Sequence, residues 1–307
     1  MGPMLLCFDG SPEAAAAIRV AARLLAPQDA VVGAAWQPML VTDVVPGPEP
    51  SAAGAAACLE LDRCLAERAQ ALAGEGCRHA AEAGLTAEPR VVSGPSAAAA
   101  LHDLAREVDA AVVVLGGRAA AVRHPWLQGS VSRPLAHHAD RPVLLTHALA
   151  RSDERDGPVL LCYEGSDPAR HAIATAGALL GGGPAVVVHA YLAPSHALLR
   201  NPLIPGPGPL AEPARLLDET STEAAGRLAA EGAVVARDAG FDAEPRAVPI
   251  AHGLWRTLLA VAAQRRCRAI VAGSRGWSGT DRALGTVADR LATRADRPVL
   301  LVPAPPA

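Results

Sequence analysis

Two stretches decide the fold: LLCFDGSPEAAAAI, Leu5 to Ile18, and LLCYEGSDPARHAI, Leu160 to Ile173. They match at an offset of 155 residues. Two further pairs follow in the same order. AAEAGLTAEPRVV (Ala80 to Val92) matches ARDAGFDAEPRAV (Ala236 to Val248), and DRPVLLTHA (Asp140 to Ala148) matches DRPVLLVPA (Asp296 to Ala304), both at 156. Three ordered blocks at a near-constant offset mean that one unit is written twice. The division reads as domain 1 over 1–150, a polar linker RSDERDG over 151–157, and domain 2 over 158–307.

Each half reads alike. A short apolar run, MLLCF or VLLCY, stops at Asp-Gly-Ser or Glu-Gly-Ser, and an Ala-rich helix follows with Pro12 or Pro168 near its start, where proline is tolerated. A second strand is expected over Ala30 to Trp36 and Ala185 to Leu192. A Pro/Gly-rich loop comes next, Gln37 to Gly54 or Ala193 to Pro213, then a long amphipathic helix ending near Gly84 or Gly240. A third strand is expected around Glu88 to Val92 and Glu244 to Val248, with a helix over Ser96 to Arg106 and Gly253 to Gln264. The fourth strand is apolar throughout, Ala110 to Leu115 and Ala269 to Ala272. A glycine loop, a helix and a closing Pro-Val-Leu-Leu strand complete each half. Apolar strands alternating with helices predict parallel sheets covered on both faces. The fold class is therefore α/β, two tandem doubly wound domains. In such sheets ligands bind beyond the carboxyl ends of the strands, so chemistry is expected at the turns after strands one and four.

Composition narrows the function. All 28 basic residues are arginine, and the net charge is -3. With no lysine amine, a P-loop lysine, a pyridoxal Schiff base and a Ser-Lys dyad are excluded. Near-neutral charge without a basic block argues against nucleic-acid binding. No apolar run approaches the ~20 residues of a membrane helix, and the N-terminus lacks the pattern of a signal peptide. A cytoplasmic protein is expected. The six cysteines form no C-x-x-C pair, so they read as free thiols.

Two features could hold a ligand. Asp9 and Glu164 close the first strands, each followed by glycine, Gly10 or Gly165. Such a carboxylate can accept a hydrogen bond from an adenine amino group or a ribose hydroxyl. The same turns can equally start a helix, with Ser11 or Ser166 as cap. After the fourth strand comes Gly116-Gly117-Arg118-Ala119, then nine residues, then Gly129-Ser130. Its counterpart is Gly273-Ser274-Arg275-Gly276, eight residues including Gly279, then Gly285-Thr286-Val287. Glycines let backbone amides approach an anion. A hydroxyl at a helix N-terminus adds a donor to the positive dipole end. Tight strand-to-helix connections use glycine too.

The spacing Gly-x2-Gly-x9-Gly-Ser/Thr after the fourth strand, with an acid after the first, resembles the universal stress protein family. DGSPEA and DRPVLL look like that family as well, and the resemblance covers nearly the whole chain twice. It implies a five-stranded parallel sheet in each half, flanked by helices and adenine nucleotide alpha hydrolase-like. It implies a stress-response regulator that binds ATP, with Mg2+ as an optional companion, and hydrolyses it slowly or not at all. The alternative is an interaction module that has lost its nucleotide. Tandem members of the family pair their halves as a pseudo-dimer, and a homodimer with an unknown protein partner is expected, without nucleic acid or membrane. By this likeness Asp9 faces the adenine, and Gly116, Gly129 and Ser130 take the motif positions. Ala119 stands where the second glycine belongs. Gly273, Gly276, Gly285 and Thr286 keep the residue types, but that loop is one residue short and Glu164 replaces Asp.

Other features are weaker. Arg118, Arg123 and Arg275 could clamp phosphates or stand solvated, and Arg282 reads as solvated. Trp126 and Trp277 fall in the glycine loops and read as packing residues. His137-His138 are adjacent on a predicted helix, and His171 and His189 stand alone, so no metal site is expected. No catalytic residues are expected.

Overall fold

The first apolar run, Met4–Cys7, forms strand β1 with every residue buried. In the computed structural model, the described residues are 1–38, 52–117, 131–147, 156–195, 211–274 and 285–305. The chain divides into two compact units, Met1–Ala148 and Leu149–Ala307.

In the first unit, helix α1 (Pro12–Leu24) follows β1. Strand β2 (Ala30–Trp36), helix α2 (Ala52–Glu82) and strand β3 (Ala87–Ser93) come next. Helix α3 (Ala97–Glu107), strand β4 (Val112–Gly117), helix α4 (Ser132–His138) and strand β5 (Val143–His147) complete it. The second unit repeats the order: β6 (Val159–Cys162), α5 (Asp167–Leu180), β7 (Gly183–Tyr191) and α6 (Ala211–Asp238). It continues with β8 (Phe241–Pro249), α7 (Leu254–Gln264), β9 (Ala269–Gly273), α8 (Thr286–Arg294) and β10 (Val299–Val302).

Local chemistry explains the helix starts. Ser11 caps α1, its Oγ accepting the Ala14 amide at 3.1 Å. Ser166 caps α5 by the same bond to Ala169 at 3.2 Å. Pro12 and Pro168 occupy the first helical positions, where no N–H is needed. Ser96 caps α3. The long helices begin at Ala52 and Ala211, so Gly54 and Pro213 belong to helix rather than to the preceding loops. Gly54 lies in an Ala-rich run that outweighs one glycine, and proline is tolerated in a first turn.

All the strand pairs described within a unit are parallel. β1 pairs with β2 and β4, β2 with β3, and β4 with β5. β6 pairs with β7 and β9, β7 with β8, and β9 with β10. The order is β3-β2-β1-β4-β5, then β8-β7-β6-β9-β10. Helices α1 and α2 cover one face of the first sheet, and α3 and α4 the other; α5 with α6, and α7 with α8, repeat this. Both faces being covered, the central strands are apolar throughout: Leu5, Leu6, Leu160 and Leu161 are wholly buried.

The closing-strand arginines serve the fold. Arg297 is buried, donating through Nη1 to the carbonyls of Ala262 at 2.9 Å and Cys267 at 2.7 Å. Arg141 donates to Asp109 at 2.6 Å. Each ties its strand to the turn that ends α3 or α7 and leads into the neighbouring strand, β4 or β9. None of the six cysteines forms a disulfide.

Candidate functional site

The strand order reverses between β1 and β4, and between β6 and β9. At such a switch point the two following connections leave in opposite directions and open a crevice. The turns after β1 and β4 are therefore neighbours.

In the first unit one contact fixes how near they are. A Cβ on Gly116 would lie 2.6 Å from the Glu13 carbonyl carbon and 2.7 Å from the Ala14 amide nitrogen. The end of β4 thus passes directly over the first turn of α1. Gly116 has a packing reason to be glycine, independent of any ligand. Its carbonyl accepts the Ser132 hydroxyl at 3.3 Å, from the first residue of α4. Asp9 is exposed, and its Oδ1 accepts the Ser11 amide at 2.9 Å. Between them Gly10 has φ of 81°, and Leu72 of α2 lies over it. One oxygen of Asp9 supports the turn, and the carboxylate reaches solvent.

The second unit differs in detail. Gly165 has φ of 88°, with Leu228 of α6 over it. Glu164 is half-buried, and its Oε1 accepts the Ser166 hydroxyl at 2.5 Å. Ser274 donates its amide to Val302 at 2.7 Å, and its carbonyl accepts the Gly285 amide at 2.8 Å. That bond brings the ends of the glycine loop together at the start of α8. Gly285 caps α8 without a side-chain hydrogen bond. Gly285 therefore supplies no side-chain cap to the first amides of α8, those of Thr286 and Val287. Asp289 stands in that first turn, where its charge already complements the dipole.

The structure brings together Asp9, Gly10, Gly116 and Gly117 in one unit. In the other it brings together Glu164, Gly165, Gly273, Ser274, Gly285, Thr286 and Val287. Arg118, Ala119, Gly129, Ser130, Arg275, Gly276 and Gly279 lie outside the described residues, as do Arg123, Arg282, Trp126 and Trp277. His137 and His138 end α4. Among the described residues no three His, Cys, Asp or Glu side chains group as a metal site. No helix among them is long and apolar enough to cross a membrane.

Sequence reading passed over one cluster. Tyr163, immediately before Glu164, is buried and donates its hydroxyl to Glu231 of α6 at 2.7 Å. Arg170 of α5 pairs with the same carboxylate at 2.5 Å and lies 5.8 Å from the centre of the Tyr163 ring. Burial, then the bond to Glu231, pushes the Tyr163 hydroxyl up to about 12. The Tyr163 hydroxyl, then Arg170, holds Glu231 below its ordinary value. The available signal was the Phe8-to-Tyr163 change inside the first repeat block.

Two small doubly wound α/β domains in tandem, each with a switch point in its strand order, define the class. The model of the universal stress protein family matches residues 1–147 and again residues 157–303. The chain belongs to the universal stress protein family, and its fold is the adenine nucleotide alpha hydrolase-like type. It is similar to a universal stress protein from Archaeoglobus fulgidus, 18% identical with a TM-score of 0.63, over 98% of each chain. A putative universal stress protein from Pseudomonas aeruginosa is 13% identical, with a TM-score of 0.53, over 99% of this chain and 94% of that one. A universal stress protein from Archaeoglobus fulgidus in complex with dAMP is 19% identical, with a TM-score of 0.34, over 48% of this chain and 97% of that one. No curated protein matches the chain.

Proposed function

We propose that this protein binds an adenine nucleotide, ATP first, at the crevice of at least one unit, and that the bound nucleotide acts as a regulatory ligand in a stress response. The observation that carries the reading is the contact of Gly116 with the first turn of α1. It sets Gly116, where the glycine loop begins, against the first turn of α1 that follows Asp9, which supports one shared site. In this reading Asp9 accepts from the adenine amino group or a ribose hydroxyl. Backbone amides of the loop and of the helix start take the phosphates, which suits a chain without lysine. In the second unit the amides of Thr286 and Val287 would serve, with Arg275 outside the described residues as the side-chain cation. Mg2+ would enter with the phosphates. Ligand binding stabilises the folded state and biases any assembly or partner contact that prefers it. No step of this function requires hydrolysis. A homodimer and a protein partner belong to the same reading.

A second reading has its own observation. Gly116 is explained by packing, and one Glu164 oxygen is already engaged by Ser166. Both fit a module that keeps the fold and has lost the nucleotide. One experiment separates them: denature the purified protein, assay released nucleotide, and titrate ATP by calorimetry. Heat of binding supports the first reading. Neither released nucleotide nor heat at millimolar ATP establishes the second. Gly129→Glu and Gly285→Glu then assign the site to a unit.

A further inference from the structure

We propose that Tyr163 and His189 are positioning residues that hold the Glu164-Gly165 turn of the second unit in its ligand-ready form. The inference rests on the reading that this crevice takes an adenine nucleotide.

Tyr163 is held from every side. Its amide donates to the Val188 carbonyl at 3.0 Å. Its carbonyl lies 2.9 Å from Nδ1 of His189. A carbonyl only accepts, so Nδ1 carries the proton. Its hydroxyl reaches Glu231, and Arg170 braces that carboxylate. A Cβ on Gly232 would lie 2.6 Å from the ring, so α6 packs directly against it. Glu164 follows in the chain, with Ser166 closing on its carboxylate. Little freedom remains between Val188 and Ser166.

The first unit keeps the backbone and lacks these polar ties. By the β1–β2 and β6–β7 registers, Ala34 stands where His189 does. Phe8 replaces Tyr163, and its amide still donates to the strand carbonyl of Gly33 at 3.0 Å. Gly76 packs on Phe8 as Gly232 packs on Tyr163. Ala15 occupies the place of Arg170. The family frame is complete without His189, Tyr163-OH and Arg170, so stability of the frame does not require them. What they add is orientation of the next residue. A turn ordered before binding loses less freedom when the ligand arrives. That offsets the extra methylene and rotamer freedom of Glu164 compared with Asp9.

The test uses the full chain with Gly129→Glu, so that ATP is read at the second unit by calorimetry. Tyr163→Phe and His189→Ala are each expected to weaken ATP binding roughly five-fold, the scale of one hydrogen bond. His189→Asn, which keeps a short side-chain N–H for the carbonyl, is expected to restore most of the loss. With Glu164→Gln already present, Tyr163→Phe is expected to cost nothing more. Unchanged affinity in Tyr163→Phe and His189→Ala overturns the proposal. So does an undiminished loss beside Glu164→Gln, because the residues would then act on the fold at large. Amide exchange at Gly165 and Ser166 is measured in parallel without ligand. If no ATP binds, the nucleotide reading of this unit fails, and exchange alone decides: faster in both variants supports the positioning role, unchanged exchange overturns it.

Discussion

Phe8 and Tyr163 occupy the same place in two copies of one design, yet they are held by different physics. The Phe8 ring has no hydroxyl and lies against Gly76 and beside His79 of α2, with 5.7 Å between ring centroids. On the neighbouring strand, Ala34 and Trp36 pack with Ala69, Ala73, Leu72 and Val91. In the second unit His189 meets the Tyr163 carbonyl and Glu231 its hydroxyl, and Tyr191, at the place of Trp36, bonds to Thr222 of α6 at 2.8 Å. Apolar burial is strong but non-directional. Hydrogen bonds add little net stability, but they fix orientation. The first unit therefore holds the residue before its acidic turn by ring packing, and the second adds a specified network of hydrogen bonds. One backbone supports both because the helix–strand contacts beneath are the same.

If that is right, core substitutions should not distinguish the units. Leu5→Ala and Leu160→Ala remove equivalent wholly buried side chains. Each is expected to cost about 2–5 kcal/mol, read by denaturant unfolding with a probe in each unit. A loss confined to one of the two would break the equivalence of the frames. Next in size is Gly116→Ala. Its methyl meets the α1 backbone rather than a movable side chain. A loss of about 1–3 kcal/mol is expected, as for overpacking elsewhere, with or without nucleotide. If the variant keeps full stability and loses only ATP affinity, Gly116 serves the ligand and not the fold.

These contacts also show what the sequence could say. The repeat, the alternation of strands and helices, and the serine caps were legible because each rests on local pattern. The strand order was not, since nothing in an apolar run names its neighbour. The positions of Asp9 and Gly116 were legible, but their closeness needed the switch point between β1 and β4. Tyr163 was visible as one change in a matched block. Its partner Glu231 lies 68 residues on, and its role depends on the register of α6, which amphipathic pattern alone leaves open. His189 looked solitary for the same reason: its partner is a backbone carbonyl, and a backbone carbonyl has no signature.

The smallest effect is the most direct test of the contrast, because it depends on pH. Tyr163 titrates near 12 in the fold, against an ordinary value of 10. Between those values the unfolded chain has released a proton that the folded chain keeps. Stability from this group is thus present below pH ~10 and falls as pH rises toward 12. Glu231 gives the opposite edge. Its folded value is lowered, so its contribution is complete above the ordinary carboxylate range and is lost as pH falls through that lowered value. Tyr163→Phe should remove the alkaline slope and weaken the acid one, measured by unfolding across pH in the same salt. Phe8→Tyr is the reciprocal experiment. Glu75 stands in α2 where Glu231 stands in α6, but Ala15 supplies no cation to brace it. A new hydroxyl there is expected to give a shallower alkaline slope than Tyr163 does. Equal slopes would mean that burial alone sets the Tyr163 value, and that the Glu231–Arg170 pair does not distinguish the two units.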